Sequence, residues 1–550
     1  MRKVFVITVV LLSFFTMSAG SQLFGQAADT LTVPSQIDGN QLDAINIFIK
    51  ADVARTPNRV YKLNRGEIYF VNGPVKTNDL NLNIYGEEED PNNPMPPAII
   101  APGIKPDGSS AGNLMQLFDD TTIRNVYFLG VAPNGVINVG QIVRVMTDGV
   151  RIEFDNCFFE WGKWLVIRVQ AADTKIFVQN SYFRNNENAG GIYNGRGLDL
   201  DHNPADSVVM VNNTFVNNNS FCLGVRNNVV KYCRIEHNTM VNSLKWPIQW
   251  SWPTNAIISN NIFYNIHSYG EAPSDLPGQD FDGQLFGIVN IDTLPVDMTQ
   301  ASGVAEADRN VKVNNNVWFY DQSIQDYWAA YDTVQAEPFM NPRTQAMFDD
   351  DASYPGLEAK GNLNVDPGFT QPPPTDGLVQ WMKVKRETGV TSMLWGWDPD
   401  NDPFAIQWPL PEDLSYSESS PLYTGGTRGY PVGDLRWFPE RKNDWVTSVK
   451  IDEPFIQPTS FVLEQNYPNP FNPSTKIRFT LKSGAHVQVA IYNLLGQKIK
   501  TLVDQKLASG SQTVVWNGVH ENGQAAASGV YFYTLKTGSE SLTKKMLLLK

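Results

Sequence analysis

The chain repeats one short polar-then-apolar pattern. Seven segments open with an asparagine followed by two or three apolar or aromatic residues, at Asn125, Asn156, Asn180, Asn213, Asn238, Asn261 and Asn316. Successive spacings are 31, 24, 33, 25, 23 and 55 residues. A period in the twenties built of short β-rich runs marks a solenoid, in which each coil adds one strand to each of several sheets. Regular leucine spacing is absent, so a leucine-rich repeat does not fit, and an ordinary sandwich would not keep the period. The pattern predicts an all-β, right-handed parallel β-helix. Asparagine suits its recurring corner because it tolerates the left-handed backbone region, and stacked amides can hydrogen-bond along the axis.

The repeat serves as a ruler. Thirteen residues before five successive asparagines stand Val143, Ile167, Leu200, Val225 and Ile248, all apolar and read as core-facing. Twelve before them stand Arg144, Arg168, Asp201, Arg226 and Gln249, all polar and read as outward-facing. Alternation of faces along a strand requires that contrast. Coils stack about 4.8 Å apart, so the polar five are expected to form one line on the surface. Asp199 and Arg196 lie just upstream on the same run, which gives a polar face centred on Asp199, Asp201 and Arg226.

The ends read differently. Gln41 to Arg55 carries Leu42, Ile45, Ile49 and Val53 at helical spacing and is expected to cap the first coil. Asn364 to Phe369 closes the regular coils. Residues 271–309 form a Pro-, Gly- and Asp-rich insertion placed to wall a groove. Residues 371–445 form a Trp- and Pro-rich extension, with Tyr430 to Trp437 read as a last strand and cap. Residues 446–460 read as a linker. From residue 461 the pattern alternates strictly, as in His486 to Tyr492 and Val530 to Leu535, between Gly- and Asn-containing turns. That predicts a small antiparallel sandwich.

Composition sharpens this. Of 550 residues, 18% are charged and 42% hydrophobic, with 41 Gly and 35 Pro, which excludes a disordered or coiled-coil chain. The net charge of −14 argues against nucleic acid or anionic lipid as partner. Residues 461–550 are nonetheless basic, with ten Lys and Arg against four Asp and Glu. Arg2 and Lys3, the apolar run Val4 to Phe15 and the small residues Ser18, Ala19 and Gly20 read as a signal peptide over residues 1–26. No later stretch is long and apolar enough for a transmembrane segment in the mature chain. Cys157, Cys222 and Cys233 sit among apolar residues and read as buried free thiols.

Two resemblances add expectations. Tyr467-Pro468-Asn469-Pro470-Phe471-Asn472-Pro473, Ile491-Tyr492-Asn493-Leu494-Leu495-Gly496-Gln497, Ala527-Ser528-Gly529-Val530-Tyr531 and the final Lys544-Lys545-Met546-Leu547-Leu548-Leu549-Lys550 resemble the type IX secretion C-terminal sorting domain. That resemblance implies an immunoglobulin-like sandwich over residues 461–550, recognised by the type IX secretion machinery and carrying the chain across an outer membrane. The body, residues 27–445, resembles pectate-lyase-like proteins, which implies an extracellular and acidic polysaccharide as partner. Thr214 to Val241 is similar to the alginate- and chondroitin-lyase type of coil, in which an Arg works with a Lys one coil earlier. Asp201 stands at the matching place here.

Lyase chemistry needs positive charge to neutralise the uronate carboxylate and a base to remove the α-proton. Arg144, Arg168 and Arg226 can supply the charge, and a calcium ion on Asp199 and Asp201 would assist. Hydrolysis is the second reading. Asp199 and Asp201, two residues apart, would stand roughly 6.5 Å apart, at the near limit for an inverting glycosidase. A non-catalytic adhesin or surface-layer module is the third. Arg196 and Gln249 are candidate sugar contacts, as are Trp161 and Trp164 at a loop-to-strand junction. Trp246, Trp250 and Trp252 read as inward-facing. His202, His237 and His267 lie on different coils without metal-ligand spacing and read as ordinary histidines.

Overall fold

The computed structural model describes residues 30–36, 42–56, 58–77, 81–226, 228–271, 286–331, 338–400, 402–404, 406–448, 462–463, 465–466, 468–481, 485–507, 510–538 and 540–549. The expected signal peptide, residues 1–26, and, beyond Ser448, the expected linker lie outside them. The chain divides into two units, Met1–Trp445 and Val446–Lys550.

In the first unit the chain winds through three parallel sheets of eleven, seven and ten strands. The eleven-stranded sheet runs from Thr30–Val33 to Leu357–Lys360, the ten-stranded sheet from Ile68–Val71 to Leu363–Asn364. The seven-stranded sheet is formed by Val75–Thr77, Asn113–Leu117, Gln141–Val145, Leu165–Val169, Arg196–Asp199, Leu223–Gly224 and Ile248–Gln249. This is a parallel β-helix. Its interior is a continuous apolar column. Phe128, Phe159, Phe183 and Phe215 stack at 5.1, 4.8 and 4.4 Å between ring centroids, one per coil. Cys157, Cys222 and Cys233 are buried free thiols in that core.

Asparagine does at the corners what its chemistry allows. Asn125, Asn156 and Asn180 have φ of 51–56°, and Asn212, Asn260 and Asn315 take the equivalent corners. One residue further on, Asn213, Asn238, Asn261, Asn316 and Asn362 form an internal amide ladder, each Nδ2 donating to the next Oδ1 at 2.9–3.0 Å. The two columns are adjacent but distinct, so the seven asparagines of the repeat do not mark a single corner.

That distinction corrects the ruler. Val143 pairs with Ile167 and Arg144 with Arg168, as counted. On the next coil, however, Ile167 pairs with Leu198 and Arg168 with Asp199, two residues earlier than Leu200 and Asp201. One residue of the slip comes from counting from Asn213 rather than the corner Asn212. The other is a bulge that inserts Asp206 between the partners of Thr174 and Lys175. The outward file on the seven-stranded sheet is therefore Lys76, Gln116, Arg144, Arg168, Asp199, Gly224 and Gln249.

Two further expectations change. The N-terminal helix spans Ala44–Ala51 rather than 41–55, and Val53 is 91% exposed. The chain leaves the helix at Asp52 because that carboxylate is buried against Arg59 (2.8 Å) and the Tyr61 hydroxyl (3.1 Å). Residues 430–437 form no strand. Gly433 turns the chain at φ +88°, and Asp434 accepts from the Arg436 N–H to start a 3₁₀ turn over Leu435–Trp437. The extension also contains a helix, Asp376–Thr388, and lies across the outside of the ten-stranded sheet.

The second unit has a three-stranded and a four-stranded antiparallel sheet. Ile477, Phe479, Trp516, Tyr533 and Leu548 share its core. No helix among the described residues is long and apolar enough to cross a membrane.

Candidate functional site

The outer face of the seven-stranded sheet gathers charge where strands end and the chain turns. Asp199 closes the strand Arg196–Asp199, and its side chain is fully buried. Its Oδ1 accepts the Asp201 backbone N–H at 2.7 Å; its Oδ2 accepts from Arg196 Nη1 at 2.7 Å and from Arg226 Nη2 at 3.1 Å. Arg168 reaches across from the previous coil to Asp201 Oδ2, with Nε at 3.0 Å and Nη2 at 2.7 Å. Arg144 donates to Gln170 Oε1 from Nε at 2.8 Å and from Nη2 at 2.5 Å. Asp201 and Arg226 thus leave the strand file but rejoin the same face through their ion pairs.

The corner itself is unusual. Asp201, His202 and Arg226 all adopt left-handed φ, at 47°, 65° and 58°. Elsewhere in the coils this conformation falls mainly to Asn. For other residues it costs on the order of 1–2 kcal/mol, so the surrounding hydrogen bonds must hold it. Asp199 supplies one of them, and Asn228 Nδ2 donates to the His202 carbonyl. His202, which reads as ordinary in the sequence, has its Nε2 2.5 Å from Arg226 Nη1. Its spacing of 24 from Arg226, one coil, is the signal that would have found it.

The carboxylates fit no calcium ion. Both oxygens of Asp199 are occupied by donors, and Asp201 faces a guanidinium. Among the described residues no group of three or more His, Cys, Asp or Glu converges. The same occupancy leaves Asp199 without an oxygen free to act on a water, so the pair does not form the open acid and base of an inverting hydrolase.

The tryptophans separate. Trp164 is 47% exposed and lies over Gly140, where a Cβ would stand 3.0 Å from the ring. Trp161 is buried, packed beside Gly396 of the extension, and is unavailable to a sugar. Trp246 and Trp250 are buried, Trp246 stacking on Phe286 at 4.0 Å; Trp252 is partly exposed. Of the insertion 271–309, residues 272–285 lie outside the described residues. Gln249 ends the outward file opposite Gly224. Sequence reasoning missed Tyr193, 43% exposed, whose carbonyl accepts from Arg196 Nε at 2.6 Å.

Comparison with known proteins bears on the tail. Residues 465–549 match the secretion system C-terminal sorting domain family. They form a type IX sorting domain, which engages the secretion machinery and sends the chain to the cell surface or the medium. Dimeric latent PorU from Porphyromonas gingivalis is similar over 16% of this chain and 10% of its own length, at 20% identity and a TM-score of 0.15. PorZ from P. gingivalis, described as an essential bacterial surface component of the type-IX secretion system, is similar over 18% and 13%, at 20% identity and a TM-score of 0.13. This chain therefore spans well under two thirds of either. No curated protein matches it.

Proposed function

We propose that the exported β-helix binds an acidic extracellular polysaccharide along the outer face of its seven-stranded sheet. One observation carries this reading: four guanidinium groups, Arg144, Arg168, Arg196 and Arg226, converge with only two carboxylates, on a chain of net charge −14. A local cationic surplus on the face attracts a polyanion. The side chains of Arg168 and Arg226 keep 26% and 21% of their surface open, enough for their outer edges to meet carboxylates.

A second reading, cleavage of the same polymer by β-elimination, is favoured by the contact between Arg226 and His202. Arg226 would neutralise the uronate carboxylate, His202 would take the α-proton, and the departing oxygen of the next sugar would take a proton from water as its bond to the ring breaks. Both readings are tested by titrating the purified full chain with uronate-containing and neutral polysaccharides. Retention by the acidic polymers alone supports binding. A rise in ultraviolet absorbance from an unsaturated product adds cleavage, and it should vanish in His202→Ala and Arg226→Ala. Equal affinity for neutral polymers would overturn the reading.

A further inference from the structure

We propose that the second unit carries a membrane-docking end, an apolar tip rimmed by lysines that enters the surface of a bilayer bearing anionic headgroups. In its four-stranded sheet the strands lie in the order Lys498–Leu507, Ala485–Asn493, Gly529–Thr537 and Glu540–Leu548. Tyr531, Tyr533, Met546 and Leu548 face the core, so their neighbours Val530, Phe532, Lys545 and Leu547 face outward. At one end of that outer face Lys498, Tyr492, Phe532 and Lys545 form one cross-strand row, and Val530 pairs with Leu547 in the next. The four apolar side chains are half-buried and both lysines are exposed. Beyond them, at the same end, project Leu494, Leu495 and Leu549, with 68%, 83% and 48% of their surface open.

Scattered exposed leucines need no explanation, but a contiguous patch does. The turn holds its leucine pair outward instead of letting it fold back. Asn493 Oδ1 accepts the N–H groups of Leu495 and Gln497 at 3.0 and 2.9 Å, and Gly496 takes the left-handed φ of 75° that closes the turn. Along the strands the chemistry follows the layers of a bilayer boundary, with an aliphatic tip and then aromatics flanked by cations. Leu494 stands two residues beyond Tyr492, at most about 7 Å of chain. That lies within the roughly 5–10 Å to which an interfacial apolar element sinks, with Tyr at headgroup level and Lys reaching the phosphates. Further down the same face the patch stops, at the hydrogen-bonded hydroxyls of Thr534 and Thr543 and then at Gln488, Lys536 and Ser541. The charge agrees. The whole chain is acidic, but residues 461–550 hold ten Lys and Arg against four Asp and Glu, which suits an anionic surface.

The test uses residues 27–550, which drops the apolar run Val4 to Phe15 and no described strand or helix. Vesicles of three parts phosphatidylcholine to one part phosphatidylglycerol should carry the chain down on sedimentation, and pure phosphatidylcholine should do so more weakly. Leu494→Ser combined with Leu495→Ser should lower partitioning about tenfold or more on both. Lys498→Gln and Lys545→Gln should each lower it about fivefold on the anionic vesicles alone. Because the native thiols are buried, a solvatochromic label on Leu495→Cys reports the tip. Its emission should shift to the blue on anionic vesicles, whereas the same label on Lys536→Cys should not respond. Thermal melts of the variants, matched to the parent chain, verify folding. Absence of vesicle binding, or binding that the double leucine variant leaves unchanged, overturns the proposal. So does a double variant that fails to reach the cell surface although the parent binds no vesicles, a result that would assign the patch to a protein of the export route.

Discussion

Two faces of the same solenoid carry arginines and carboxylates in register, and they use them differently. On the ten-stranded sheet, Arg184 is buried between Glu160 and Glu412, with Nε 3.1 Å from Glu412 Oε1 and Nη2 donating to the Trp397 carbonyl at 2.6 Å. Tyr182 and Tyr127 donate to the same carboxylates at 2.6 and 2.5 Å. Residues 395–400 and 406–438 of the extension roof this network over. On the seven-stranded sheet Arg168, Asp201 and Arg226 stay partly exposed around a buried Asp199, and the arginines outnumber the acids. Stacked coils put side chains in files whatever their purpose. A covering segment turns a file into internal structure, and an uncovered file with unbalanced charge is left to meet a ligand.

The comparison breaks first at Arg184. Arg184→Ala strands two buried carboxylates and should cost about 3–5 kcal/mol, read as a large fall in Tm. Next comes the pH response of the roof. Glu187 is buried, its carboxyl accepting the Trp395 and Gly396 N–H groups at 2.9 and 2.7 Å, and burial pushes its pKa up to about 8. The folded chain therefore holds this proton more tightly than the unfolded one. The stability it contributes is complete below about pH 4.5, the ordinary value, and is lost as pH rises through about 8. Glu187→Gln should remove that part of the slope in melts taken between pH 5 and 9. A slope unchanged by the substitution would show that the roof does not depend on this group.

The third test falls on the ladder common to all faces. Asn238 donates to Asn261 Oδ1 and to the Met210 carbonyl, both at 2.9 Å, and accepts from Asn213. Asn238→Ala should cost about 1–3 kcal/mol through the partners left unsatisfied, measured by denaturant unfolding. The smallest effect on stability belongs to the open face. Arg168→Ala should change unfolding free energy by no more than about 1 kcal/mol, since its pair with Asp201 is partly solvated. It should nevertheless weaken acidic-polysaccharide binding. Equal stability losses in Arg168→Ala and Arg184→Ala would erase the distinction between the faces.

Much of the architecture was legible because burial and the left-handed corner impose themselves on residue type. Val143 and Ile167 had to be apolar, and Asn125, Asn156 and Asn180 had to tolerate positive φ. The sorting domain declared itself through its alternating strands and turn motifs. The candidate face was legible only to within a turn. An extra residue at Asp206 leaves no trace in a polar-apolar string, and neighbouring asparagines such as Asn212 and Asn213 look alike although one turns the chain and the other bridges coils. A second corner series, Asn185, Asn217, Asn242 and Asn265, linked amide to amide at 3.0–3.3 Å, was present at the same spacing and would have fixed the frame. Trp161 and Trp164 could not be told apart, because what buries Trp161 comes from Gly396, more than 200 residues away. His202 was hidden for a similar reason: its partner lies on the next coil.

Hydroxyl-radical footprinting of the full chain, with and without a bound acidic polysaccharide, tests the central claim most directly. The reactive side chains Trp164, Tyr193 and His202 all border the proposed face, whereas Tyr331 and Trp397 lie away from it. Protection concentrated on the first three, with the other two unchanged, is the expected result. Protection of Tyr331 or Trp397 while Trp164, Tyr193 and His202 stay as reactive as in the free protein would contradict it.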